Sequence, residues 1–392
     1  MTAPAITFGM TKDGRPISLP LRLANRHGLV TGATGTGKSR TLQIIVEQLS
    51  AAGVPVFAAD IKGDLSGLGS PAMANGPAAG RAGTLQGDWA PAAYPDAFWD
   101  LWGSCGLPVR TSVQDMGALL LSSMLGLNET QAGTLAIAFR IVDEQHDWML
   151  SLDDLRWTLN EMLEDREDVC RRYGNITAAS ISAIQRGILA LEAQGGDRLF
   201  GEPPFDILDF MRTAPDGRGI INLLHADKLM ESPKTYAVFL LWLLTELFRQ
   251  LPEAGDLDKP KLCFFFDEAH LLFRDAPSAL LQQIERLVRL VRSKGVGVYF
   301  VTQSPMDVPD VVLEQLGTRV LHGMRAHTQK SERKVRAAAD TLRRNPGVVD
   351  ARIELPALAT GEALISVFGD DGAPAPVERV AILPPTSSME PI

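Results

Sequence analysis

The sequence predicts an α/β fold built on an open, mostly parallel sheet. Strand-like apolar runs alternate along it with helical stretches, and one strand-to-helix junction holds a glycine-rich loop of distinctive spacing. Strand candidates fall at residues 28–32, 54–60, 219–224, 262–267, 297–302, 318–321 and 363–368. Several are continuous apolar runs, as expected of parallel strands covered on both faces. Helix candidates separate them at 41–51, 234–250, 278–293 and 328–341. This alternation implies ligands at the carboxyl ends of the strands.

The first junction carries the strongest chemical signal. Gly32-Ala33-Thr34-Gly35-Thr36-Gly37-Lys38-Ser39 fits G-x-x-x-x-G-K-[ST], the phosphate-binding loop, with a strand before it and a helix after it. The glycines let successive N–H groups turn toward one anion, and the helix adds its positive end. Lys38 can reach the β- and γ-phosphates, and the Ser39 hydroxyl can take a Mg²⁺ coordination position. With Arg40 next in the chain, these residues form the expected nucleotide-binding set, and the expected cofactors are ATP and Mg²⁺.

Composition sets bounds on the rest. The chain has 392 residues, 45% hydrophobic and 22% charged, ordinary proportions for a globular protein. A net charge of −9 argues against a surface that is basic all over, so nucleic-acid contact requires a local patch or an assembled pore. Cys105, Cys170 and Cys263 are too few and too scattered for a disulfide framework or a zinc site, which fits a reducing compartment. The first residues, Met1-Thr2-Ala3-Pro4-Ala5, lack the features of a signal peptide, and a cytoplasmic location is expected. The most apolar run, residues 236–248, carries Glu246 and is shorter than the ~20 residues that span a bilayer; it reads as a buried helix.

Residues 61–218 do not follow the simple repeat. Residues 63–95 are rich in Gly, Ala and Pro and read as loop. Residues 111–194 read as a helical insertion, with amphipathic stretches at 116–125, 131–144, 152–164 and 178–192. The last two dozen residues read as extended or disordered.

A second signal is Leu262-Cys263-Phe264-Phe265-Phe266-Asp267-Glu268, an apolar strand ending in two carboxylates. This is the Walker B pattern: Asp267 can hold Mg²⁺ directly or through water, and Glu268 can act as general base toward the attacking water. His270, completing a D-E-A-H string, reads equally as a nucleotide sensor or as a structural hydrogen-bonding residue. A third strand ends at Thr302-Gln303, where the Gln303 amide can donate to the γ-phosphate or to the attacking water. The helix before it carries Arg286, Arg289, Arg292 and Lys294. Arg289 and Arg292 share a face, either simply solvated or presenting an arginine finger to an adjacent subunit.

Together GATGTGKS, FFFDEAH, VRSKGVGVYFVTQ and GEALISV resemble the HerA–FtsK superfamily of ring-forming P-loop ATPases. The stretch GDRLFGEPPFDILDFM is similar to the bacterial branch of HerA-like helicases, the YjgR-like proteins. The resemblance spans residues 6–385 and implies a RecA-like P-loop NTPase core over 1–65 and 205–385. Residues 66–204 would be a loop plus a mainly helical insertion, and 386–392 a flexible tail. It also implies a hexameric ring that translocates on or unwinds double-stranded DNA, with a nuclease among its partners. Lys38 and Ser39 would bind phosphate and Mg²⁺, Asp267 and Glu268 would be the Walker B pair, Gln303 the sensor and Arg292 the finger acting in trans. One departure is that HerA proteins carry a β-barrel domain before the phosphate loop, and about 30 residues precede it in this sequence.

For DNA the expected contact is residues 319–344. Arg319, Arg325, Lys330, Arg333, Lys334, Arg336, Arg343 and Arg344 stand there against Glu332 and Asp340, a local balance of +6. Such charge can bind phosphates without reading bases. An oligomeric ATPase that remodels a protein partner is the alternative reading. The segment Asp60-Ile61-Lys62-Gly63-Asp64 ends the second strand beside the phosphate site and could couple nucleotide state to a loop facing DNA.

Overall fold

A computed structural model describes residues 4–85, 88–101, 105–225, 233–274, 278–326, 328–346, 349–369 and 371–390. Its described strands are β1 (Ala5–Met10), β2 (Pro16–Pro20), β3 (Gly28–Thr31), β4 (Val56–Asp60), β5 (Asp96–Asp100) and β6 (Leu107–Pro108). They continue with β7 (Ile221–His225), β8 (Leu262–Phe266), β9 (Val296–Thr302), β10 (Thr318–His322), β11 (Glu362–Ser366) and β12 (Glu378–Ile382). All join one sheet in the order β2-β1-β12-β11-β10-β3-β9-β8-β4-β7-β5-β6. From β10 to β6 every pairing is parallel. From β10 to β2 every pairing is antiparallel.

The apolar runs form strands because both of their faces are covered. In β8, Leu262, Phe264 and Phe266 enter the core on one face, and Cys263 and Phe265 enter the core on the other. β4 divides likewise, Phe57 and Ala59 against Val56 and Ala58. Fully burying one Phe contributes about 1.5–3 kcal/mol, so these short strands are strongly held. The first face packs on helices Pro233–Gln250 and Ser278–Val291 and on the insertion helices; the second packs on helix Lys38–Ala51 and the β1–β2 hairpin. Among the described residues no helix is long and apolar enough to cross a membrane.

The insertion forms helices Val113–Leu125, Glu129–Gln145, Leu152–Glu164, Arg166–Tyr173 and Ala178–Ala193. Three expectations are corrected. Residues 63–95, expected as loop, contain helix Pro77–Leu85, and β5 and β6 extend the sheet within the segment expected to be loop and helices. β1 and β2 also went unpredicted. The C-terminal segment, expected to be extended or disordered, contributes β12 and then docks on helix Lys38–Ala51. There the Thr386 and Ser387 N–H groups and the Thr386 hydroxyl donate to the buried Glu47 carboxylate at 2.9–3.1 Å. Trp89 Nε1 donates to Pro385 O at 2.9 Å, fixing the same segment from its other side.

Sheet order positions the site. β3, which leads into the glycine-rich loop, is separated from β8, which ends in the acidic pair, by β9 alone. All three strands run parallel, so their carboxyl ends open on one side of the sheet.

Candidate nucleotide site

The loop at residues 32–37 turns sharply from β3 into helix Lys38–Ala51. Gly32 has φ 154°, and a Cβ there would stand 2.5 Å from the Cβ of His322, so only glycine fits. Gly37 has φ 114° and caps the helix. It has no side chain to accept from the first-turn N–H groups, which stay available to an anion. The loop is braced from behind. Ala33 N–H donates to Gly323 O at 3.0 Å, and Thr36 Oγ1 donates to Ala33 O at 2.7 Å. His322 is buried, and burial pushes it down to about 4, so at neutral pH it is uncharged. Its Nδ1 lies 3.1 Å from Glu362 O and its Nε2 2.9 Å from Thr41 Oγ1, tying β10 to the loop's helix.

A cavity of about 400 Å³ opens at this point, lined by Thr34, Gly35, Gly37, Lys38, Ser39 and Arg40 from the loop and helix. Asp267 faces it from the end of β8, and Asp60, Lys62 and Asp64 from the end of β4. Lys38 Nζ folds back to donate to Gly32 O and Ala33 O, at 2.7 and 3.1 Å. Burial lowers the Lys38 ammonium from its ordinary value, partly offset by the Glu268 charge. Ser39 Oγ donates to Asp64 Oδ2 at 2.8 Å. Arg40 donates to Gln43 Oε1 at 2.9 Å and to Met389 O at 2.6 Å.

Asp267 is half-buried at the cavity wall, and desolvation there raises its carboxyl to about 6, against a backbone hydrogen bond from Glu268 N–H at 2.8 Å. Glu268 has φ +47°, a left-handed conformation that costs an ordinary residue ~1–2 kcal/mol and clusters at functional sites. Its Oε1 accepts from Lys62 Nζ at 2.5 Å. Its Oε2 lies 3.2 Å from His270 Nδ1, is buried, and has no hydrogen-bond partner among the described residues.

The residues suit a divalent cation. Ser39 commits its proton to Asp64, which leaves hydroxyl lone pairs for a metal, and Asp267 is a desolvated carboxylate that a cation would relieve. Among the described residues no group of three or more His, Cys, Asp or Glu is arranged to hold a metal by itself. Phosphate oxygens and water would therefore supply most ligands, the usual pattern for Mg²⁺.

The structure thus gathers Lys38, Ser39 and Asp267 on one cavity, with Glu268 next to Asp267. Gln303 is exposed, one residue beyond Thr302, which pairs with Thr31; this sets it at the level of Gly32 but outside the cavity lining. Arg289 and Arg292 are exposed near the far end of the sheet, before β9 begins. The length of β9, about 20 Å at 3.3 Å per residue, separates Arg292 from its own phosphate loop. Sequence reasoning singled out the segment with Lys62 and Asp64 without placing either against Glu268 or Ser39. The available signal was two ionisable residues just beyond a strand that neighbours β8.

One expected member of the basic patch belongs elsewhere. Arg319 is mostly buried, its guanidinium donating to Thr341 O and, at 3.0 Å, to Leu313 O, so it braces the fold. Arg325, Lys330, Arg333, Lys334, Arg336, Arg343 and Arg344 are exposed, although Arg343 donates to Pro374 O at 2.9 Å.

Comparison with solved structures shows where else this architecture occurs. The unbound bacterial conjugative coupling protein TrwBdeltaN70 is similar with a TM-score of 0.64 at 15% identity, over 100% of this chain and 91% of that one. The plasmid coupling protein TrwB, in complex with the non-hydrolysable ATP analogue ADPNP, matches with a TM-score of 0.63 at 15% identity, over 99% and 97%. VirB4 of Thermoanaerobacter pseudethanolicus matches with a TM-score of 0.60 at 14% identity, over 97% of each chain. No curated protein matches the sequence. At these identities the likeness is one of fold, but the family profile described as helicase HerA-like C-terminal matches residues 6–392, both acidic-pair strand and phosphate loop included. A match over nearly the whole chain, on a fold shared with TrwB and VirB4, makes this protein a member of the helicase HerA-like C-terminal family of P-loop ATPases.

Proposed function

We propose that this protein is a Mg²⁺-dependent ATP-hydrolysing motor that assembles as a ring, hexameric by its family resemblance, and moves on or unwinds double-stranded DNA. The observation that carries the reading is the convergence of Lys38, Ser39 and Asp267 on one cavity at the carboxyl ends of β3 and β8, with Glu268 beside it. Nucleotide-bound TrwB structures, one with ADP and Mg²⁺, support ATP and Mg²⁺ as the ligands here.

In this reading the N–H groups of the loop and first helical turn, other than those of Ala33 and Thr36, which donate within the protein, receive the phosphates. Lys38 exchanges its two carbonyl acceptors for the β- and γ-phosphate oxygens, a stronger charge-assisted contact. Ser39 and Asp267 would hold Mg²⁺, and Asp64 would keep the Ser39 lone pairs turned toward it. The metal supplies charge neutralisation on the phosphates. Glu268 takes a proton from the attacking water, Gln303 orients that water or the γ-phosphate, and Arg292 reaches the site of the next copy.

The exposed basic side chains of helix Gln329–Asp340 support duplex DNA as the track. Lys330, Arg333 and Lys334 share one face of that helix, while Val335, Ala338 and Ala339 bury the other. Exposed Trp148 and Trp157, 71% and 56% accessible in the helical insertion region, favour the second reading, a protein partner rather than DNA.

Lys38→Ala tests the nucleotide assignment. The variant is expected to lose ATP hydrolysis by at least about 10²-fold, because a charge-assisted contact in the transition state is gone. Hydrolysis at the normal rate would overturn the assignment. Stimulation of wild-type turnover by duplex DNA, weakening steeply with salt, separates the DNA reading from the protein-remodelling one.

A further inference from the structure

We infer that Lys62 is a positioning residue that latches Glu268 in a resting orientation and thereby restrains hydrolysis until it withdraws. The inference rests on the ATPase reading above and concerns a contact that reading does not require. Glu268 is offered as the proton acceptor, yet one of its carboxylate oxygens is engaged by a cation, and the other is buried without a hydrogen bond among the described residues. Oε1 is capped by the Lys62 ammonium at 2.5 Å, and Oε2 is turned toward His270 Nδ1 at 3.2 Å. A lone pair engaged by an ammonium is a poorer base, so Glu268 accepts a proton less readily while the Lys62 contact holds.

The architecture makes the latch specific. β4 and β8 are adjacent and parallel, with Ala59 opposite Phe266, so residue 62 and residue 268 emerge side by side at the same edge. Glu268 cannot easily turn away, because its side chain is buried beside the adjacent strand end, while the Asp267 side chain holds its backbone. The mobile partner is Lys62. Its side chain is 49% exposed against 9% for Glu268, so it can swing outward while the carboxylate stays. Ion pairs with one partner half in water are weak, so the latch biases the base without locking it. The charges of Asp267 and Asp64 add to the pull that keeps Lys62 inward.

The test compares steady-state ATP hydrolysis by the full chain in wild type, Lys62→Met, Lys62→Gln and Lys62→Arg, with binding of a fluorescent ATP analogue as the check on folding. Lys62→Met and Lys62→Gln are expected to raise unstimulated kcat roughly 5-fold, the scale of one weak ion pair, with KM changed less than about 2-fold. Lys62→Arg, which can still pair with the carboxylate, is expected to keep the slow wild-type rate. A kcat that is unchanged or lower in variants that bind the analogue overturns the latch, as does Lys62→Arg turning over as fast as Lys62→Met. If wild type hydrolyses ATP and the Met and Gln variants are no faster, the latch fails and the ATPase reading stands. If neither wild type nor variants hydrolyse ATP, both fail.

Discussion

Asp267 shows how much of this site is set by desolvation at single residues. Its carboxyl rises from 3.8 to about 6 because burial disfavours the charged form, and the Glu268 charge adds to that. The folded protein therefore carries a penalty above pH 6 that is absent below pH 3.8, where the group is neutral in both the folded and the unfolded state. A rise of this size corresponds to ~3 kcal/mol. Asp267→Asn is therefore expected to be more stable than wild type at pH 7, by up to that amount, in chelator and without nucleotide. The difference should disappear as the pH falls to 4. Urea unfolding at the two pH values measures this, and a variant no more stable than wild type at pH 7 would contradict the burial argument. Lys38 and Ser39 follow the same logic. Each has its hydrogen-bonding groups engaged by nearby protein oxygens, Gly32 O and Ala33 O for one and Asp64 for the other, contacts that phosphate and metal can improve on.

At the scale of elements, the docked C-terminal segment is the clearest departure from the sequence reading. Glu47 sits buried on the helix that starts at the phosphate loop, and its carboxylate accepts from the backbone and side chains of Thr386 and Ser387. Glu47→Ala would strand several buried donors, so a loss of about 2–4 kcal/mol is expected. A urea unfolding midpoint equal to wild type would show that the segment is not anchored through Glu47. The prolines and serines around residues 384–388 conceal this docking in the sequence, because composition marks them as loop while their partner lies far back in the chain. The β1–β2 hairpin and β12 were missed for a related reason. They are short, partly exposed strands at the antiparallel end of the sheet, β1 and β2 carry Gly9, Pro16 and Pro20, and the pairing of β1 with the distant β12 fixes them. By contrast, the phosphate loop and the strand ending in Asp267-Glu268 were legible, since loop spacing and apolar run are local in sequence. The Lys62–Glu268 contact was not, because it depends on β4 and β8 being neighbours. Arg319 was misread because charge in a sequence says nothing of burial, and its guanidinium is spent on backbone carbonyls.

At the scale of the molecule, the proposed finger Arg292 stands far from the phosphate loop of its own copy. Sheet order brings phosphate loop, acidic pair and Gln303 to the carboxyl edge, while Arg292 stands at the opposite end of β9. An arginine finger contributes about 10³–10⁵ to phosphoryl transfer, so its supply by a second copy would make turnover depend on assembly. The most direct measurement is ATP turnover per chain across a wide range of protein concentration, with molar mass followed by light scattering on the same samples. The account predicts that turnover per chain rises as mass shifts from monomer to ring, and that Arg292→Ala assembles and binds ATP yet shows no such rise. A monomer with full turnover at every concentration, equal in wild type and Arg292→Ala, would contradict it.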